Sequence, residues 1–320
     1  PSTFLGAEIR GGSGTIDTSG SRVRYGGDAE LRVFDLPRFG EAFDVDWMRD
    51  PRYAGTLTGR FKVEAEGTSP LTMSLDATGR MSEGQFFGGT LTGADVSFRI
   101  ADASLEGTYD GRFDRINPAI PMDDPRYVSS LSGSGRMAIR VQDLFSRSPA
   151  LGDYTIDTAV SLDGSAARGI HIDTGRFEGK LAQGTLAIST IEVAGPELDG
   201  KGSGRIEFAA GKASQFDYAI ARADLGSLHE LVGSSMSGEI TTSGQMTGPL
   251  DSPRLIGTAT IDRFAASEVA ADSATATYDF TPNLNAMLNS PARVDAHAVA
   301  IVAFGQALQD LKGTVSLSDR

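Results

Sequence analysis

Strict alternation of apolar and polar residues is the feature that most limits what this chain can fold into. In residues 60–66, Arg-Phe-Lys-Val-Glu-Ala-Glu, every even position is charged and every odd position is apolar. A period of two places successive side chains on opposite faces of a β-strand, whereas a helix needs a period of 3.6. Strands buried on both faces of a parallel sheet show continuous apolar runs, so the alternation predicts an antiparallel sheet with one polar face. The same pattern recurs at 71–75, 96–100, 137–141, 154–162, 205–208, 216–220 and 275–280.

Turn signals and composition agree with an all-β chain. The 320 residues include 39 glycines, 13 prolines and a single tryptophan, a composition typical of many short strands. The spacing of the turn signals predicts a meander of about 18 to 20 strands. Short helices are predicted at 35–43 and 224–232, where an aspartate can cap the first turn and apolar residues follow at helical spacing. Examples of these turn signals lie at 26–28, 76–79, 110–111, 163–164 and 199–200.

A hexapeptide recurs along the chain. Met-Arg-Asp-Pro-Arg-Tyr at 48–53 reappears as Met-Asp-Asp-Pro-Arg-Tyr at 122–127, an offset of 122 − 48 = 74 residues, and a Leu-(Ser/Thr)-Gly segment follows each copy. Residues 236–240 give a weaker third copy of the second part. The repeats predict one continuous repeat-built domain over 1–320, with sub-repeats at approximately 35–112, 113–214 and 215–320. Duplication inside an ordinary β-sandwich is the alternative.

Charge and cysteine content exclude several classes of protein. Lysine and arginine number 29 against 42 acidic residues, a net charge of −13, which argues against a nucleic-acid partner. The absence of cysteine excludes disulfides and thiol catalysis. The longest apolar run, at 298–304, covers seven residues, where a membrane-spanning helix needs about twenty.

No catalytic or metal-binding pattern emerges from the sequence. His171, His229 and His297 lack the spacing of a metal site, and His229-Glu230 has glycine, not histidine, at residue 233. The glycine clusters run into strands, so none offers a helix N-terminus to a phosphate. The sequence therefore predicts a protein that is not an enzyme and that uses no cofactor, metal or nucleotide.

The apolar face of the predicted sheet is the remaining candidate for function. With so little helix available, the sheet must either pack on a second sheet or curl so that its apolar side lines a groove. An open apolar concavity is a binding site for apolar ligand. The candidate lining residues are Phe61, Val63, Met73, Leu75, Phe98, Ile100, Ile139, Val141, Ile156, Val160, Ile188, Phe208, Tyr218, Ile220, Tyr278 and Phe280.

Residues 243–259, Ser-Gly-Gln-Met-Thr-Gly-Pro-Leu-Asp-Ser-Pro-Arg-Leu-Ile-Gly-Thr-Ala, resemble a repeat of the bacterial AsmA/TamB superfamily. The glycines, the Pro-x-(apolar)-x-Gly element and the Leu-(Ser/Thr)-Gly starts at 57–59 and 131–133 carry the likeness. It covers most of residues 50–280 and is a style of repeat with no diagnostic motif.

The resemblance implies an elongated antiparallel sheet curled into an open, U-shaped hydrophobic groove, with two or three short capping helices. It also implies a periplasmic protein of a Gram-negative cell envelope, anchored in the inner membrane by a helix outside these 320 residues. Its ligand would be phospholipid or another acyl-chain lipid, moved between the inner and outer membranes or used in outer-membrane assembly. Inner-membrane or outer-membrane assembly proteins would be its partners, and the family has no catalytic residues.

Two other functions compete with this hypothesis. A structural surface protein, such as an adhesin or an autotransporter stalk, would form a parallel β-helix, although the chain has only four asparagines for ladders. A β-rich, glycan-active enzyme would need paired carboxylates beside exposed aromatic residues, and Trp47 is the only tryptophan.

Overall fold

The computed structural model of the chain describes residues 2–4, 7–43, 46–67, 72–144, 150–227, 236–282 and 290–317. These residues form an all-β structure of 18 strands, and every strand pair with a defined register is antiparallel. The chain divides into two units, residues 1–169 with 180–184 and residues 170–179 with 185–320.

Unit 1 is a single meander in which consecutive strands pair. Most strands have 12 to 14 residues, because the alternation of apolar and polar residues continues over that length. Its strands are β1 (Ser2–Phe4), β2 (Ala7–Asp17), β3 (Arg24–Asp35), β4 (Gly55–Glu66), β5 (Ser74–Phe86), β6 (Gly89–Ala101), β7 (Ser104–Ile116), β8 (Ser129–Val141) and β9 (Tyr154–Ala167).

Unit 2 repeats this arrangement with the second half of the chain. The strand that opens it, β10, extends by three residues beyond Gly179 into the range assigned to unit 1. Its strands are β10 (Ile170–Ala182), β11 (Thr185–Ala194), β12 (Leu198–Glu207), β13 (Ser214–Asp224), β14 (Met236–Gly248), β15 (Arg254–Ala266), β16 (Val269–Phe280), β17 (Ala292–Ala303) and β18 (Gln306–Leu317).

Antiparallel pairing within each unit shows that the parallel β-helix alternative is wrong. Each unit is also a single layer of consecutive strands and not a sandwich of two sheets. The pairings describe an open sheet and do not show a curled groove, so the groove stays a proposal. The sub-repeat boundaries at 35–112, 113–214 and 215–320 also stay a prediction.

The five turns predicted at 26–28, 76–79, 110–111, 163–164 and 199–200 were wrong, because all of these residues lie inside strands β3, β5, β7, β9 and β12. Two of their glycines face bulky residues: Gly27 is paired with Val63, and Gly79 with Phe61. The hairpins instead turn at two-residue loops such as Phe87-Gly88, where both residues have positive φ (50° and 76°). This is the geometry of a type I′ turn, which matches the twist of the flanking strands.

The glycine of the repeated Leu-(Ser/Thr)-Gly segment marks a bulge. The register shifts at Gly59 in β4, before Gly133 in β8 and across Gly238 in β14. Gly133 and Gly238 have φ of 154° and 132°, values that favour glycine. The three copies of the segment therefore have the same structural role, a bend near the start of a strand.

The other part of the repeat forms a capped turn in both copies. Asp50 accepts a hydrogen bond from the backbone N–H of Arg52 (2.9 Å), and Asp124 accepts the same bond from Arg126 (2.9 Å). Each arginine also donates Nε to its aspartate, at 2.9 Å in both copies. The proline fixes the first residue of each 3₁₀ helix, Pro51–Tyr53 and Pro125–Tyr127.

Helices are few and short in the described residues. The helix predicted at 35–43 is confirmed as α1 (Leu36–Phe43), followed by the 3₁₀ helix Asp46–Arg49. The sequence did not predict α2 (Ala119–Met122). Of the helix predicted at 224–232, Asp224 ends β13, residues 225–227 form a turn, and the rest lies outside the described residues.

Candidate functional site

The strand register of unit 1 sorts its side chains into two chemically different faces. Directly paired residues of an antiparallel sheet share a face, so a row of paired residues can be followed from strand to strand. Three neighbouring rows from β2 to β9 consist of apolar residues and glycine, apart from three tyrosines and the final Thr158. The rows are Ile16–Tyr25–Ala65–Leu75–Ile100–Leu105–Val141–Tyr154, Gly14–Gly27–Val63–Ala77–Phe98–Gly107–Ile139–Ile156 and Gly12–Ala29–Phe61–Gly79–Val96–Tyr109–Met137–Thr158.

The intervening rows form the polar face of unit 1. Cross-strand ion pairs follow them, for example Arg60 with Asp28 (2.9 Å) and Arg80 with Asp95 (3.2 Å). These side chains are largely exposed, so each pair contributes little to stability. One such row reads Thr15–Gly26–Glu64–Asp76–Arg99–Glu106–Arg140–Thr155.

Large side chains on the apolar face of unit 1 lie over glycines. Phe61 is only 4% exposed, and a Cβ atom at Gly79 or Gly59 would come within 2.7 or 2.9 Å of its ring. Phe61 also belongs to a buried cluster with Met81 and Ala94. Glycine therefore serves here as the space that an aromatic ring fills, which explains part of the glycine content.

Residues from outside the strands cover part of this face. Met48, in the 3₁₀ helix after α1, is 4% exposed and belongs to one buried cluster with Leu75 and Ile100. Leu36, the first residue of α1, packs against the same cluster. Leu144, which follows β8, is fully buried in it. The α1 segment thus acts as a plug on unit 1.

Unit 2 carries an apolar face of the same kind. Three neighbouring rows are again apolar or glycine, with the two tyrosines and Thr242 as the exceptions. The rows are Ile188–Gly204–Phe216–Met246–Leu255–Phe280–Ala292, Ile191–Gly202–Tyr218–Gly244–Gly257–Tyr278–Val294–Val315 and Val193–Gly200–Ile220–Thr242–Ala259–Ala276–Ala296–Gly313.

Three hydroxyl groups meet on the apolar face of unit 2. Tyr218 and Tyr278 lean toward each other over Gly244 and Gly257, and their hydroxyl oxygens are 2.7 Å apart. The Tyr278 hydroxyl also lies 2.8 Å from Oγ1 of Thr242.

The direction of this hydroxyl chain follows from counting protons. Thr242 donates to the carbonyl oxygen of Thr258 (2.8 Å), so Tyr278 must donate to Thr242 and Tyr218 to Tyr278. Every donor is satisfied within the protein. Burial, together with the bond to Tyr278, raises the pKa of Tyr218 well above its ordinary value.

The structure places fifteen of the sixteen sequence-predicted lining residues on these two apolar faces. Ten lie on unit 1, where Met73 precedes β5 and packs against the Met48 cluster. Ile188, Tyr218, Ile220, Tyr278 and Phe280 lie on unit 2. Phe208 does not join them, because it follows the end of β12 and is 43% exposed. The list of lining residues left out Leu36, Met48, Leu144 and Thr242, although the helix that contains Leu36 was predicted as a cap on the sheet.

A cavity of about 660 Å³ opens among polar side chains of unit 2. Arg176, Glu192, Lys201, Ser243 and the threonines of β14 and β15 line it. Its charges are mixed and it has no aromatic platform, so it does not define a ligand.

Each of the two histidines that lie in described residues is within hydrogen-bond distance of one carboxylate. Nδ1 of His171 lies 3.2 Å from Glu197, and Nε2 of His297 lies 2.9 Å from Asp310. His229 lies outside the described residues. Within the described ranges, no group of three or more His, Cys, Asp or Glu side chains could hold a metal ion.

Comparison with known proteins yields no match: no family model, no curated protein and no solved structure is similar to this chain. No helix in the described part of the chain is long and apolar enough to cross a membrane. The geometry of the two faces is therefore the evidence on which function can be argued.

Proposed function

We propose that this protein is a non-enzymatic module that binds lipid acyl chains on its apolar sheet faces. The observation that carries the proposal is the continuity of the apolar rows. In each unit, rows of paired residues cross eight strands with no charged residue, while the next rows are polar. At about 4.8 Å per strand, such a row is about 34 Å long.

A face of this kind suits a long, featureless ligand. Each CH₂ group removed from water contributes about 0.8 kcal/mol, and a uniform apolar row offers nearly the same contact at every position along it. An acyl chain can therefore slide along the row while its headgroup stays in water. A compact ligand with fixed polar groups would instead need matching donors and acceptors, and the hydroxyl chain of unit 2 has no free donor.

The wider proposal is transport. Bulges recur along the chain, at Gly59 in β4, Gly133 in β8 and Gly238 in β14 among others, and a bulge bends its strand. Such bends are what a sheet needs to curl into an open groove. We propose on this basis, and on the resemblance to the AsmA/TamB superfamily, a periplasmic role in phospholipid transport or outer-membrane assembly.

The test compares neighbouring residues on opposite faces. The protein is expressed in a Gram-negative host, and bound lipid is measured by native mass spectrometry and solvent extraction. Phe98→Asp in unit 1 and Ile220→Asp in unit 2 place a charge on the apolar faces and should remove lipid. Ser97→Asp and Ala219→Asp place the same charge on the polar faces and should keep it.

The two units should differ in this test. Because Met48 and Leu144 already cover part of the apolar face of unit 1, we expect the larger loss of lipid from Ile220→Asp. Circular dichroism shows whether each variant still folds. A folded wild type that carries no lipid and takes up no fluorescent acyl probe would refute the proposal and favour a structural surface protein.

A further inference from the structure

The hydroxyl chain on the apolar face of unit 2 has no role in the proposed function. It runs from Tyr218 through Tyr278 to Thr242, which donates to the carbonyl oxygen of Thr258. Each hydroxyl group has one hydrogen, so all three hydrogens are used within the protein. Tyr218 is the first member: it donates to Tyr278, and within the described residues no donor bonds to its oxygen. The hydroxyl chain therefore ends in a free acceptor.

Two glycines fix the position of this acceptor. Tyr218, Gly244, Gly257 and Tyr278 are paired in one row, so two strands separate the tyrosines. A Cβ atom at Gly244 would come within 2.8 Å of the Tyr218 hydroxyl, and one at Gly257 within 2.5 Å of the Tyr278 hydroxyl. Both hydroxyl groups thus lie close against the strands between them, where a larger residue would block them. The acceptor is held in place before a ligand arrives, which lowers the cost of binding.

The Tyr218 oxygen suits a neutral donor. A hydroxyl group that donates a hydrogen bond is polarised, and its oxygen then accepts a further bond more strongly. Burial, together with the bond to Tyr278, raises the pKa of Tyr218, so the hydroxyl stays neutral at physiological pH. An ammonium group would lose its hydration on an apolar face, and a carboxylate or phosphate would bring further acceptors to an acceptor. The matching ligand group is a hydroxyl.

The acceptor lies inside the apolar face and not at its margin. The row of Tyr218 is the middle one of the three, and Phe216 and Ile220 of the same strand belong to the two neighbouring rows. Successive rows are about 7 Å apart along a strand, which exceeds the length of a hydrogen bond. A headgroup at the margin of the face is therefore too far from Tyr218. A hydroxyl group that reaches Tyr218 belongs to the acyl chain itself and has apolar carbon on both sides.

We propose that unit 2 selects acyl chains that carry a hydroxyl group along their length, and that the Tyr218 oxygen accepts the hydrogen bond from this hydroxyl. The inference rests on the proposed function, because the acyl chain must first lie on the apolar face. A plain acyl chain covers the same oxygen without giving it a partner, and this costs free energy. A hydroxylated acyl chain makes the bond, so its sliding along the rows ends where its hydroxyl meets Tyr218.

Three methyl esters of equal chain length test the hydrogen bond. Methyl 12-hydroxystearate has a donor on the acyl chain, methyl 12-methoxystearate has only an acceptor there, and methyl stearate has neither. Their affinities for the full protein are measured by displacement of a fluorescent acyl probe. The wild type should bind the hydroxy ester about tenfold more tightly than the methoxy ester. Tyr218→Phe keeps the ring and removes the acceptor, so the ratio should fall to about twofold or less.

Tyr278→Phe is the matched variant that tests the direction of the hydroxyl chain. It removes the acceptor to which Tyr218 donates, so the Tyr218 hydroxyl gains a free hydrogen and keeps its oxygen. The methoxy ester can then accept a hydrogen bond from Tyr218, and its affinity should come within about twofold of that of the hydroxy ester. A purely structural effect of Tyr278→Phe would weaken the binding of all three esters alike.

Diacylglycerol tests where the hydroxyl group must lie. The hydroxyl of 1,2-dipalmitoylglycerol stands at the end of its acyl chains, so this lipid and its methyl ether should bind within about twofold of each other. A tenfold preference in this pair, without one between the two substituted stearates, would overturn the position of the hydroxyl along the acyl chain.

The outcomes separate this inference from the proposed function. If no ester displaces the probe, both are refuted. If the three esters bind the wild type equally, acyl binding stands and selection by Tyr218 is overturned; a Tyr218→Phe variant that keeps the tenfold preference has the same meaning. Circular dichroism shows whether Tyr218→Phe folds. If it does not, the ratios of the wild type and Tyr278→Phe still decide.

Discussion

Replacement of Phe61 by alanine tests whether the apolar face of unit 1 is a packed surface. The ring is only 4% exposed, so its removal loses most of the transfer free energy of a buried phenylalanine, about 2 to 3 kcal/mol. A further cost comes from the cavity that remains. Gly59 and Gly79 lie under the ring and have no side chain to fill the space, and a bulge and two strand pairings restrain their backbone. We expect a loss of about 3 to 4 kcal/mol in the free energy of unfolding.

Urea denaturation followed by far-ultraviolet circular dichroism is a suitable assay, because it reports the loss of the strands on which the apolar face is built. The matched control is Thr78→Ala, which truncates an exposed side chain on the polar face and should change stability by less than about 0.5 kcal/mol. Equal effects of the two substitutions would refute the assignment of the faces.

Three further predictions follow from individual contacts. Tyr278→Phe removes the central hydroxyl of the chain and leaves Thr242 without its donor, so unit 2 should lose about 1 kcal/mol of stability by urea denaturation. Burial, and secondarily the charge of a neighbouring aspartate, raise the pKa of Tyr109 to about 12. The stability that this tyrosine contributes should therefore be complete below pH 10 and be lost as the pH rises towards 12. Absorbance at 295 nm follows the ionisation of the tyrosine, and circular dichroism follows unfolding. The side-chain and backbone hydrogen bonds from Arg52 hold the pKa of Asp50 below its usual value. The stability that these bonds contribute should be lost as the pH falls through the lowered pKa of Asp50, and Asp50→Ala should abolish this part of the acid dependence of unfolding.

Much of the fold could be predicted because the controlling signal is local. Alternation of apolar and polar residues at 60–66 or 96–100 predicts which side chains share a face. The register of β4 to β6 confirms this assignment of faces. The predicted helix at 35–43 was confirmed for the same reason, since its apolar spacing and the preceding aspartate are contained in nine residues.

The turns could not be predicted in the same way. An Asp-Gly pair indicates a hairpin only if nothing else requires the glycine, and in this chain packing often does. Gly111 of the Asp110-Gly111 pair lies in mid-strand, where an added Cβ atom would come within 2.4 Å of Ala94 and 3.1 Å of the Tyr109 hydroxyl. Such a contact joins residues on two different strands and cannot be recognised in the local sequence. The pattern therefore predicted a turn at 110–111, whereas the turns form at loops such as Phe87-Gly88.

The burial of Met48 could not be predicted for a related reason. Met48 belongs to the repeated hexapeptide, and its counterpart Met122 is 55% exposed, whereas Met48 is buried against Leu75 and Ile100. Identical residues in two copies of a repeat thus have opposite burial, because only the first copy follows a helix that packs on the apolar face. The packing of α1 on the apolar face therefore accounts for the difference in burial between Met48 and Met122.

This asymmetry bears on what the two units can bind. In unit 1, the chain itself supplies the apolar groups that remove Leu75 and Ile100 from water, so a ligand there would have to displace Met48 and its neighbours. In the described part of unit 2, the rows around Tyr218 and Tyr278 are only partly buried, and the hydroxyl chain satisfies its own polar groups. A ligand reaching unit 2 gains apolar contact without breaking either a protein contact or a hydrogen bond. Acyl chains should therefore occupy unit 2 first, and deletion of the Met48 side chain by Met48→Ala should increase lipid occupancy on unit 1 alone.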